Sequence, residues 1–522
     1  MSRCVGKGVV VVSESASCIA RDESRFHQLQ TQLTTCWQSI DCFDRAPRQI
    51  LVVPSLSLDQ EELGKIEGVH HYEERLLFSL LHLRNPNTAL IYVTSQPLHP
   101  SVVDYYLELL PGIPSSHAQN RLRLFSTYDG SQRPLTEKIL ARPRLIERMR
   151  RYLSPQEAYM VCYNSTDWEQ QLALKLDIPL MAVPPALLDL GTKAGSREIF
   201  AACDVPHPDG SELTHDAKEL AIATTKLWER QPDLKRIVIK LNEGFSGEGN
   251  ALLGLDDLTD VAPGKVRHED RVTTVLNALE HLRFQYIHET WEHFNRKIGE
   301  LGAIAEAFIE GDIKRSPSVQ GHITPDRTVE ILSTHDQILG GPDGQVFLGC
   351  RFPADSDYRM ELQEMGRRVG EVLAQRGALE RYSVDFIAVQ KGPQQWDLNA
   401  IEINLRKGGT THPFMALQLL TNGGYNLEDG QFYTPQGQPK YYRASDNLQK
   451  EHYKGLLPDD LMDIIMVEQL HFNSIAGTGV TFHLMGCLSE YGKLGLTCIG
   501  NTPEEAEQIY EQVVTALDRE TS

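Results

Sequence analysis

Short apolar segments alternate with helical segments along the first 190 residues, and no other feature of the sequence constrains the fold as strongly. The segments EERLLFSLLHLR (73–84) and VVDYYLELL (102–110) carry apolar residues at helical spacing. The strand candidates around them are QILVVP (49–54), TALIYVT (88–94), LRLFS (122–126), AYMVCYN (158–164) and IPLMAVP (178–184). Strand–helix–strand alternation predicts an open, mainly parallel α/β sheet. No GxGxxG segment follows these strands, so a dinucleotide-binding fingerprint is missing.

The sequence changes in character after about residue 190, where strands outnumber helices and an α+β unit is predicted. Its strand candidates are RIVIKLN (236–242), GAIAEAFIEG (302–311), TVEILSTHDQIL (328–339), YSVDFIAVQ (382–390) and WDLNAIEINLR (396–406). An amphipathic helix is predicted over 361–379. From 429 onward, a turn-rich segment leads to the apolar segment 479–500 and to a helix for which Thr502 is the expected N-cap. This part predicts a small α/β cap.

Composition excludes some classes of partner. The 51 basic and 71 acidic residues give a net charge of −20, which argues against nucleic acid and anionic membranes as partners. No run of about 18 apolar residues indicates a membrane-spanning helix. The four valines in the opening segment MSRCVGKGVVVVSES are too few for a signal peptide and favour a strand. The nine cysteines show no zinc-finger or CxxC spacing, so we expect reduced thiols and a cytoplasmic protein.

The strand IEINLR (401–406) places polar side chains on one face, because alternate residues of a strand point the same way. Glu402 and Asn404 share that face, while the isoleucines beside them point to the core. The segment YSVDFIAVQ precedes it as the other arm of a hairpin, which would bring Asp385 close to Glu402. Two carboxylates and an amide oxygen suit Mg²⁺. The alternative interpretation is a solvated strand edge without a metal.

Two lysines are candidates for binding phosphate. Lys240 ends the apolar strand IVIK and directly precedes the glycine-rich loop EGFSGEGN (243–250). Backbone N–H groups of such a loop can surround phosphates. The loop lacks the GK[ST] ending of a Walker A motif, and a plain hairpin turn is the alternative. Lys193 in GTKAGSR starts a predicted helix, with Arg197 one turn further along the same face. Taken alone, Lys193 is best interpreted as a surface lysine.

The order of these pieces resembles the ATP-grasp superfamily. GTKAGSREIFAACDVPHPDG is similar to the opening lysine helix, and RIVIKLNEGFSGEGN to the second lysine strand with its phosphate-covering loop. AEAFIEG resembles the hinge that holds adenine, and IEINLRKGG the metal and phosphate strand. Four motifs in the family's order make the match specific. The ending NLRKGGTTHP resembles the peptide-ligase group related to the pheganomycin ligase, and the resemblance then covers most of the chain.

The resemblance implies a pre-ATP-grasp (Rossmann-like) domain over 1–190, a two-lobed central ATP-grasp domain over 191–428 and a small C-terminal α/β domain over 429–522. It implies Asp385, Glu402 and Asn404 as ligands of one or two Mg²⁺, with Mn²⁺ as an alternative. The ATP-binding residues that it implies are Lys193 and Lys240 at the phosphates, Gly244, Ser246, Gly247 and Gly249 in a lid, and Glu306, Phe308, Ile309 and Glu310 at the adenine. Arg406 and Lys240 would act on the transferring phosphoryl group.

Two positions fit the family less closely. Many ATP-grasp enzymes carry a ribose-binding glutamate seven residues after the hinge acid, and Ile313 occupies that position here. Glu310 or Asp312 would then have to contact the ribose. Arg351 in FLGCRFPAD is a further catalytic candidate, as a bidentate clamp for a substrate carboxylate. A surface arginine is an equally good interpretation.

The implied activity is ATP-dependent formation of an amide bond through an acyl phosphate, with release of ADP and phosphate. The substrates would be a small carboxylate and an amine, such as amino acids or peptides, and a homo-oligomer is compatible with the sequence. One alternative is another ATP-grasp reaction of the kinase or carboxylase type. The other is an inactive nucleotide-binding or protein-interaction module. Because Asp385, Glu402, Asn404 and both lysines are present, catalysis is favoured.

Overall fold

The structure is a computed structural model that describes residues 10–38, 47–58, 63–244, 249–286, 288–340 and 346–521. Its contacts divide the chain into two units. The first contains the residues up to Pro185 with the short segments Thr324–Thr328 and Leu484–Cys487, and the second contains the rest. Within the described residues, no helix is both long and apolar enough to cross a membrane.

The first unit is built on a five-stranded parallel sheet. Its strands are β1 (Arg48–Val53), β2 (Thr88–Thr94), β3 (Leu122–Ser126), β4 (Ala158–Cys162) and β5 (Leu180–Met181). The order β3-β2-β1-β4-β5, parallel throughout, confirms the predicted open α/β sheet. Its helices are α1 (Val10–Gln38), α2 (Pro100–Glu108), α3 (Ser115–Gln119), α4 (Leu135–Leu140), α5 (Pro143–Arg150), α6 (Asp167–Leu176) and the 3₁₀ helix Val69–Arg84.

The strand predicted for the opening valine run is wrong, since Val10 begins helix α1. Phe26, Leu29 and Leu33 are buried at helical spacing further along α1. Phe26 joins the core cluster formed by the sheet of the first unit. Burial of this helical face outweighs the weak β preference of the valines.

The second unit contains two sheets. The smaller, of order β8-β7-β6-β9, consists of β6 (Arg236–Leu241), β7 (Asn250–Gly254), β8 (Arg283–Phe284) and β9 (Ala303–Ala307). The larger, of eleven described strands, consists of β10 (Lys314–Arg315), β11 (Pro317–Ile323), β12 (Val329–Gly340), β13 (Val346–Phe352), β14 (Glu380–Gly392), β15 (Gln395–Asn404), β16 (Gly424–Asn426), β17 (Gln431–Tyr433), β18 (Pro439–Gln449), β19 (Gly479–His483) and β20 (Lys493–Gly500). The C-terminal strands continue this sheet, since β18 pairs with β13 and with β20.

The helices of the second unit are α7 (Lys193–Ala202), α8 (Ala217–Arg230), α9 (His268–Leu279), α10 (Trp291–Leu301), α11 (Arg359–Arg376), α12 (Thr411–Thr421), α13 (Pro458–Val467), α14 (Leu488–Tyr491) and α15 (Pro503–Thr521). Further 3₁₀ helices of this unit span Pro185–Gly191, Asp256–Val261 and Glu451–Tyr453, and the 3₁₀ helix Met485–Cys487 belongs to the first unit. The hydroxyl of Thr502 accepts a hydrogen bond from the backbone N–H of Glu505, which confirms the predicted N-cap of α15.

Core packing decides which strand faces carry the polar groups. In the smaller sheet, Ile237 and Ile239 lie in a buried cluster with Leu227 of α8 and Phe294 of α10. Lys240, which directly follows Ile239 on β6, therefore points to the other face. In the larger sheet, Tyr382 packs against α11, where its hydroxyl donates to the carbonyl of Gly366 at 2.9 Å. The odd-numbered residues at the start of β14 consequently face away from α11.

Tyr382 makes Gly370 of α11 a sensitive position, since a Cβ there would lie 2.1 Å from the tyrosine oxygen. We expect Gly370→Ala to lower the free energy of unfolding by about 1–3 kcal/mol through overpacking, although alanine favours a helix by about 1 kcal/mol. Gly299→Ala in α10 is the matched control, because its Cβ would meet only the His215 carbonyl at 4.0 Å. Urea unfolding followed by circular dichroism measures both. A Gly370→Ala chain as stable as the control would contradict this packing.

Candidate functional site

The hairpin β14–β15 brings two carboxylates together. Its antiparallel register pairs Asp385 with Glu402 and Ser383 with Asn404, which confirms the predicted approach of the two acids. Residues directly opposite in such a pair have Cα atoms about 4.5–5.5 Å apart. The side-chain amide of Asn404 donates to Asp385 Oδ2 at 3.0 Å. The three predicted metal ligands therefore form one group.

A β-bulge places Ile401 differently from the prediction. Asp385 pairs with Glu402, but Phe386 pairs with Ala400, so Ile401 is the extra residue of β15. It is only half-buried, whereas Ile403 is fully buried as expected. The extra residue shifts the pairing of β15 with β14 by one position, directly beside the Asp385–Glu402 pair.

The electrostatics of the two acids differ. Burial, followed by the charge of Glu402, raises the pKa of Asp385 to about 7, although Gln337 donates to its Oδ1 at 2.7 Å. Burial also acts to raise the pKa of Glu402, but Lys193, whose Nζ lies 2.6 Å from Glu402 Oε1, and Arg406 hold it below its ordinary value. Two half-buried carboxylates side by side repel each other, and a divalent cation relieves that repulsion. The donor set thus fits Mg²⁺.

Lys193 reaches this pair from the start of α7. The hydroxyl of Thr192 caps the helix, and its first backbone N–H groups, at Lys193 and Ala194, donate to the backbone and side-chain oxygens of Asn242, each at 3.0 Å. Ser196 ties the same helix to β15 by accepting from the N–H of Ile403 at 3.0 Å. The predicted helix-start lysine is thereby fixed between the end of β6 and the carboxylate strand.

Lys240 lies on the face of the smaller sheet opposite the core cluster of Ile237 and Ile239. Its Nζ forms a close ion pair with Glu306 of β9, and Arg197 Nη1 lies 3.4 Å from the same carboxylate. Lys240 is 8% exposed and Glu306 is 2% exposed. Lys240 contributes to the lowered pKa of Glu402, so its charge reaches the carboxylate pair. The two predicted lysines therefore converge on one site.

The glycine-rich loop is described only at its two ends. A Cβ on Gly244 would lie 3.6 Å from the Cα of Gly249, so the two ends meet. Ser246 and Gly247, the other two predicted lid residues, lie outside the described residues.

The predicted hinge follows β9. The N–H of Phe308 donates to the carbonyl of Arg236 at 3.3 Å. The centroid of the phenyl ring is 3.9 Å from Arg236 Cζ and 4.5 Å from Lys314 Nζ. Lys314 also donates to the carbonyl of Ile309 at 3.2 Å. Glu310 accepts from the Arg236 guanidinium at 3.0 Å and 2.5 Å. Because Glu310 is engaged in this way, Asp312 is the freer of the two alternatives for a ribose contact.

The structure does not bring Arg351 to the other predicted residues. Since Gln337 contacts Asp385, its neighbour Asp336 points to the opposite face of the sheet. Arg351 pairs with Asp336 in the β12–β13 register, so it faces away from the carboxylates as well. Its Nε lies 2.9 Å from Glu507 Oε2 of α15. Three strand pairings, β14–β11, β11–β12 and β12–β13, decide which residues of β13 share a face with Asp385 of β14. Local sequence does not reveal these pairings.

Sequence reasoning missed two side chains of this site. Gln337 reaches Asp385 from β12, which is separated from β14 by β11 in the sheet, so no local pattern could signal it. Asn242 holds the start of α7, and its position two residues after Lys240 is only a weak signal. Arg197 shares a predicted helix face with Lys193, whereas the structure directs it to Glu306.

The Lys193–Glu402 pair should control stability in the absence of metal. Lys193→Met leaves two half-buried carboxylates without their nearest cation, and we expect it to lower the free energy of unfolding in EDTA by about 1–3 kcal/mol. Added Mg²⁺ should reduce the difference in the free energy of unfolding between Lys193→Met and the wild-type protein. The double variant Lys193→Met/Glu402→Gln should regain most of the stability, because the uncompensated charge is gone. Urea unfolding with EDTA or Mg²⁺ measures this. A double variant no more stable than Lys193→Met would contradict the electrostatic cause.

Two family models match the chain. The model described as "IQCH-like, ATP-grasp" covers residues 262–428, and the model described as "PGM1 C-terminal domain" covers residues 460–513. The chain is 31% identical over 466 residues to the L-propargylglycine–L-glutamate ligase of Streptantibioticus cattleyicolor, covering 87% of this chain and 91% of that protein. It is 24% identical over 453 residues to IQ motif-containing protein H of Danio rerio, covering 80% of this chain but 42% of that protein.

Solved structures share the fold. The biotin carboxylase complex with β,γ-ATP from Campylobacter jejuni has a TM-score of 0.53 at 13% identity, covering 90% of this chain and 91% of its own. The biotin carboxylase domain of the Hydrogenobacter thermophilus 2-oxoglutarate carboxylase, solved with MgADP, has a TM-score of 0.53 at 13% identity, covering 90% and 89%. The relative at 31% identity spans most of both chains. The chain therefore belongs to the ATP-grasp family, as a ligase of the pheganomycin-type peptide ligase group that forms carbon–nitrogen bonds with ATP.

Proposed function

We propose that this protein joins the carboxylate of one amino acid or peptide to the amine of another through an acyl phosphate, with release of ADP and phosphate. The observation that carries the proposal is the pairing of Asp385 with Glu402 beside two buried lysines, Lys193 and Lys240. The similar ligase of Streptantibioticus cattleyicolor is named for two amino acids, L-propargylglycine and L-glutamate, which supports substrates of this class.

Asp385, Glu402 and Asn404 are the proposed Mg²⁺ ligands, since they present carboxylate and amide oxygens on one face. When bound, the metal would neutralise charge on the phosphate oxygens. Asn404 donates its amide N–H to Asp385, which leaves its carbonyl oxygen to act as a ligand. One or two ions are compatible with this donor set.

ATP would bind between the two sheets of the second unit. The backbone of 307–310 is the proposed contact for the adenine edge, with the Phe308 ring held in place by Arg236 and Lys314. The buried Glu306 carboxylate, already paired with Lys240 and Arg197, would hold Lys240 towards the phosphates. The loop 243–250 is the proposed lid that excludes water from the acyl phosphate. Residues 191–428 form the proposed ATP-grasp domain.

The chemistry asks the protein mainly for position and positive charge. An oxygen of the substrate carboxylate attacks the γ-phosphorus, the bond to the bridging oxygen breaks, and ADP leaves. The amine nitrogen then attacks the acyl carbon, phosphate leaves with the electron pair, and the nitrogen loses its extra proton. Arg406, whose charge lowers the pKa of both Asp385 and Glu402, is the proposed stabiliser of the transferring phosphoryl group.

The reaction is tested with a panel of L-amino acids and dipeptides, scored by ADP release and product mass with Mg²⁺-ATP. We expect ADP release to require both a carboxylate and an amine. Glu402→Gln should reduce kcat by at least about 10³-fold, because a metal ligand near the transferring phosphoryl group is lost. Glu507→Gln is the matched control, since Glu507 pairs with Arg351 on the opposite face of the sheet.

Three outcomes would argue against the proposal. Near-normal turnover by Glu402→Gln would sink the metal-ligand assignment. ATP binding without ADP release across the whole panel would favour a nucleotide-binding module instead. ADP release with only one of the two substrates, giving a phosphorylated product, would indicate a kinase-type reaction.

A further inference from the structure

A salt bridge lies at the open end of the β14–β15 hairpin, and the proposed chemistry does not use it. The backbone ladder ends where Ser383 pairs with Asn404. Continued by three residues, the same register pairs Glu380 with Lys407, and a carboxylate oxygen of Glu380 lies 3.1 Å from Lys407 Nζ. The two side chains are 13% and 6% exposed, so salt screens this ion pair only weakly. The salt bridge thus keeps the two chains together beyond their hydrogen-bonded ladder.

Glu380 is itself held in place by its surroundings. His322 Nε2 lies 3.3 Å from its carboxylate, and Arg381 Nε lies 3.9 Å from it. The backbone of Glu380 pairs with Ile323 of β11, and its φ of 74° is in the left-handed region that residues other than glycine rarely adopt. A residue stays in this region only where the surrounding structure holds it there. Glu380 is therefore a fixed point to which Lys407 is attached.

Lys407 directly follows the proposed phosphoryl-stabilising Arg406, so its sequence position favours a second phosphate contact. The structure directs its ammonium group to Glu380 instead. Glu380 is five residues from Asp385 along β14, a distance of about 16 Å in an extended strand. Lys193, by contrast, contacts a carboxylate of the proposed metal site itself. The contribution of Lys407 therefore lies in how it fixes the segment that carries it.

The segment beyond this salt bridge is fixed as well. The side-chain amide of Gln320 in β11 donates to the carbonyl of Thr410 at 2.9 Å and accepts from the hydroxyl of Thr411 at 3.0 Å. The same hydroxyl accepts from the backbone N–H of Gly408 at 3.0 Å. Because the chain is tied to the sheet on both sides of Arg406, these contacts determine where that arginine begins.

We propose that Glu380 is a positioning residue, which holds Arg406 at the transferring phosphoryl group by anchoring Lys407. The inference rests on the proposed ligase function. Arg406 lies between Asn404, which ends the ladder, and Lys407, so its backbone is fixed within two residues on either side. Phosphoryl transfer depends on accurate placement of charge, and the long arginine side chain is placed accurately only from a fixed backbone. Loss of the Glu380 contact releases that backbone on one side.

The first test is the steady-state kinetics of Glu380→Gln with the substrate pair that gives the most ADP. We expect kcat to fall by about 10²-fold, as when a catalytic group is displaced by about 1 Å. The KM of ATP should stay within about 2-fold, because the interaction that is lost acts in the transition state. Lys407→Met should have the same effect, and Lys407→Arg should keep most of kcat because it preserves the charge pair. An unchanged kcat in Glu380→Gln would overturn the inference.

A double-variant cycle separates positioning from a general loss of structure. In a chain that already carries Arg406→Met, adding Glu380→Gln should change the single-turnover rate of ADP release by less than about 2-fold, because the group that it positions is gone. Losses that multiply would show that Glu380 acts elsewhere and would overturn the inference. Glu330→Gln is the matched control, since Glu330 lies 3.2 Å from the other ring nitrogen of His322, and it should keep the wild-type kcat.

Limited proteolysis measures the anchor without turnover, because trypsin cleaves after Arg406 and Lys407. We expect Glu380→Gln to raise the cleavage rate at these two bonds by at least about 10-fold, since cleavage follows the population of the locally opened chain. Fragment masses identify the bonds, and cleavage elsewhere should match that of Glu330→Gln. Unchanged cleavage at the two bonds would overturn the anchor. If Glu380→Gln fails to fold, Lys407→Met carries the same comparison at the bond after Arg406.

The two proposals fail in different ways. Protection of these bonds that depends on Glu380, without ADP release from any substrate pair, would overturn the ligase proposal and leave the anchor of Arg406 standing. ADP release that requires both substrates but does not respond to Glu380→Gln would overturn the positioning role and leave the ligase proposal standing.

Discussion

The antiparallel register of β14 and β15 is the constraint on which the rest of the site depends. It places two half-buried acidic side chains opposite each other, and the neighbouring elements compensate for that arrangement. Lys193 reaches in from a helix that Asn242 and Ser196 fix at both sides, and Gln337 satisfies the remaining oxygen of Asp385. A shift of one residue in β15 would turn Glu402 and Asn404 to the core.

Charge is distributed over the second unit in a graded way. Around Asp385 and Glu402, the two acids adjoin Lys193, and the charge of Arg406 also acts to lower the pKa of Glu402. Around Glu306 of the smaller sheet, one carboxylate pairs with two cations, Lys240 and Arg197. Around Glu380 of the larger sheet, three basic side chains share two acids, and these five residues are Lys407, His322, Arg381, Glu380 and Glu330.

Sequence predicted the parts of this arrangement that depend on local alternation. The parallel sheet of the first unit, the β14–β15 hairpin and the approach of Asp385 to Glu402 follow from strand period and turn position. The structure differs from the sequence predictions where contacts with distant parts of the chain decide the outcome. The opening valines join a helix because later turns of α1 are buried. Arg351 faces away from Asp385 and Glu402 because several strand pairings decide to which face of the sheet it points. The roles assigned to the site residues remain predictions.

The ion pair between Lys193 and Glu402 has a thermodynamic consequence for the proposed ligands. A bare cation entering the site must compete with an ammonium group already bound to one of its ligands. A cation that binds together with a triphosphate supplies phosphate oxygens as a new partner for the displaced Lys193 ammonium group. Nucleotide and metal then bind cooperatively, each raising the affinity for the other by the same factor. Under the proposed roles, the salt bridge favours binding of the metal–nucleotide complex over binding of the free ion.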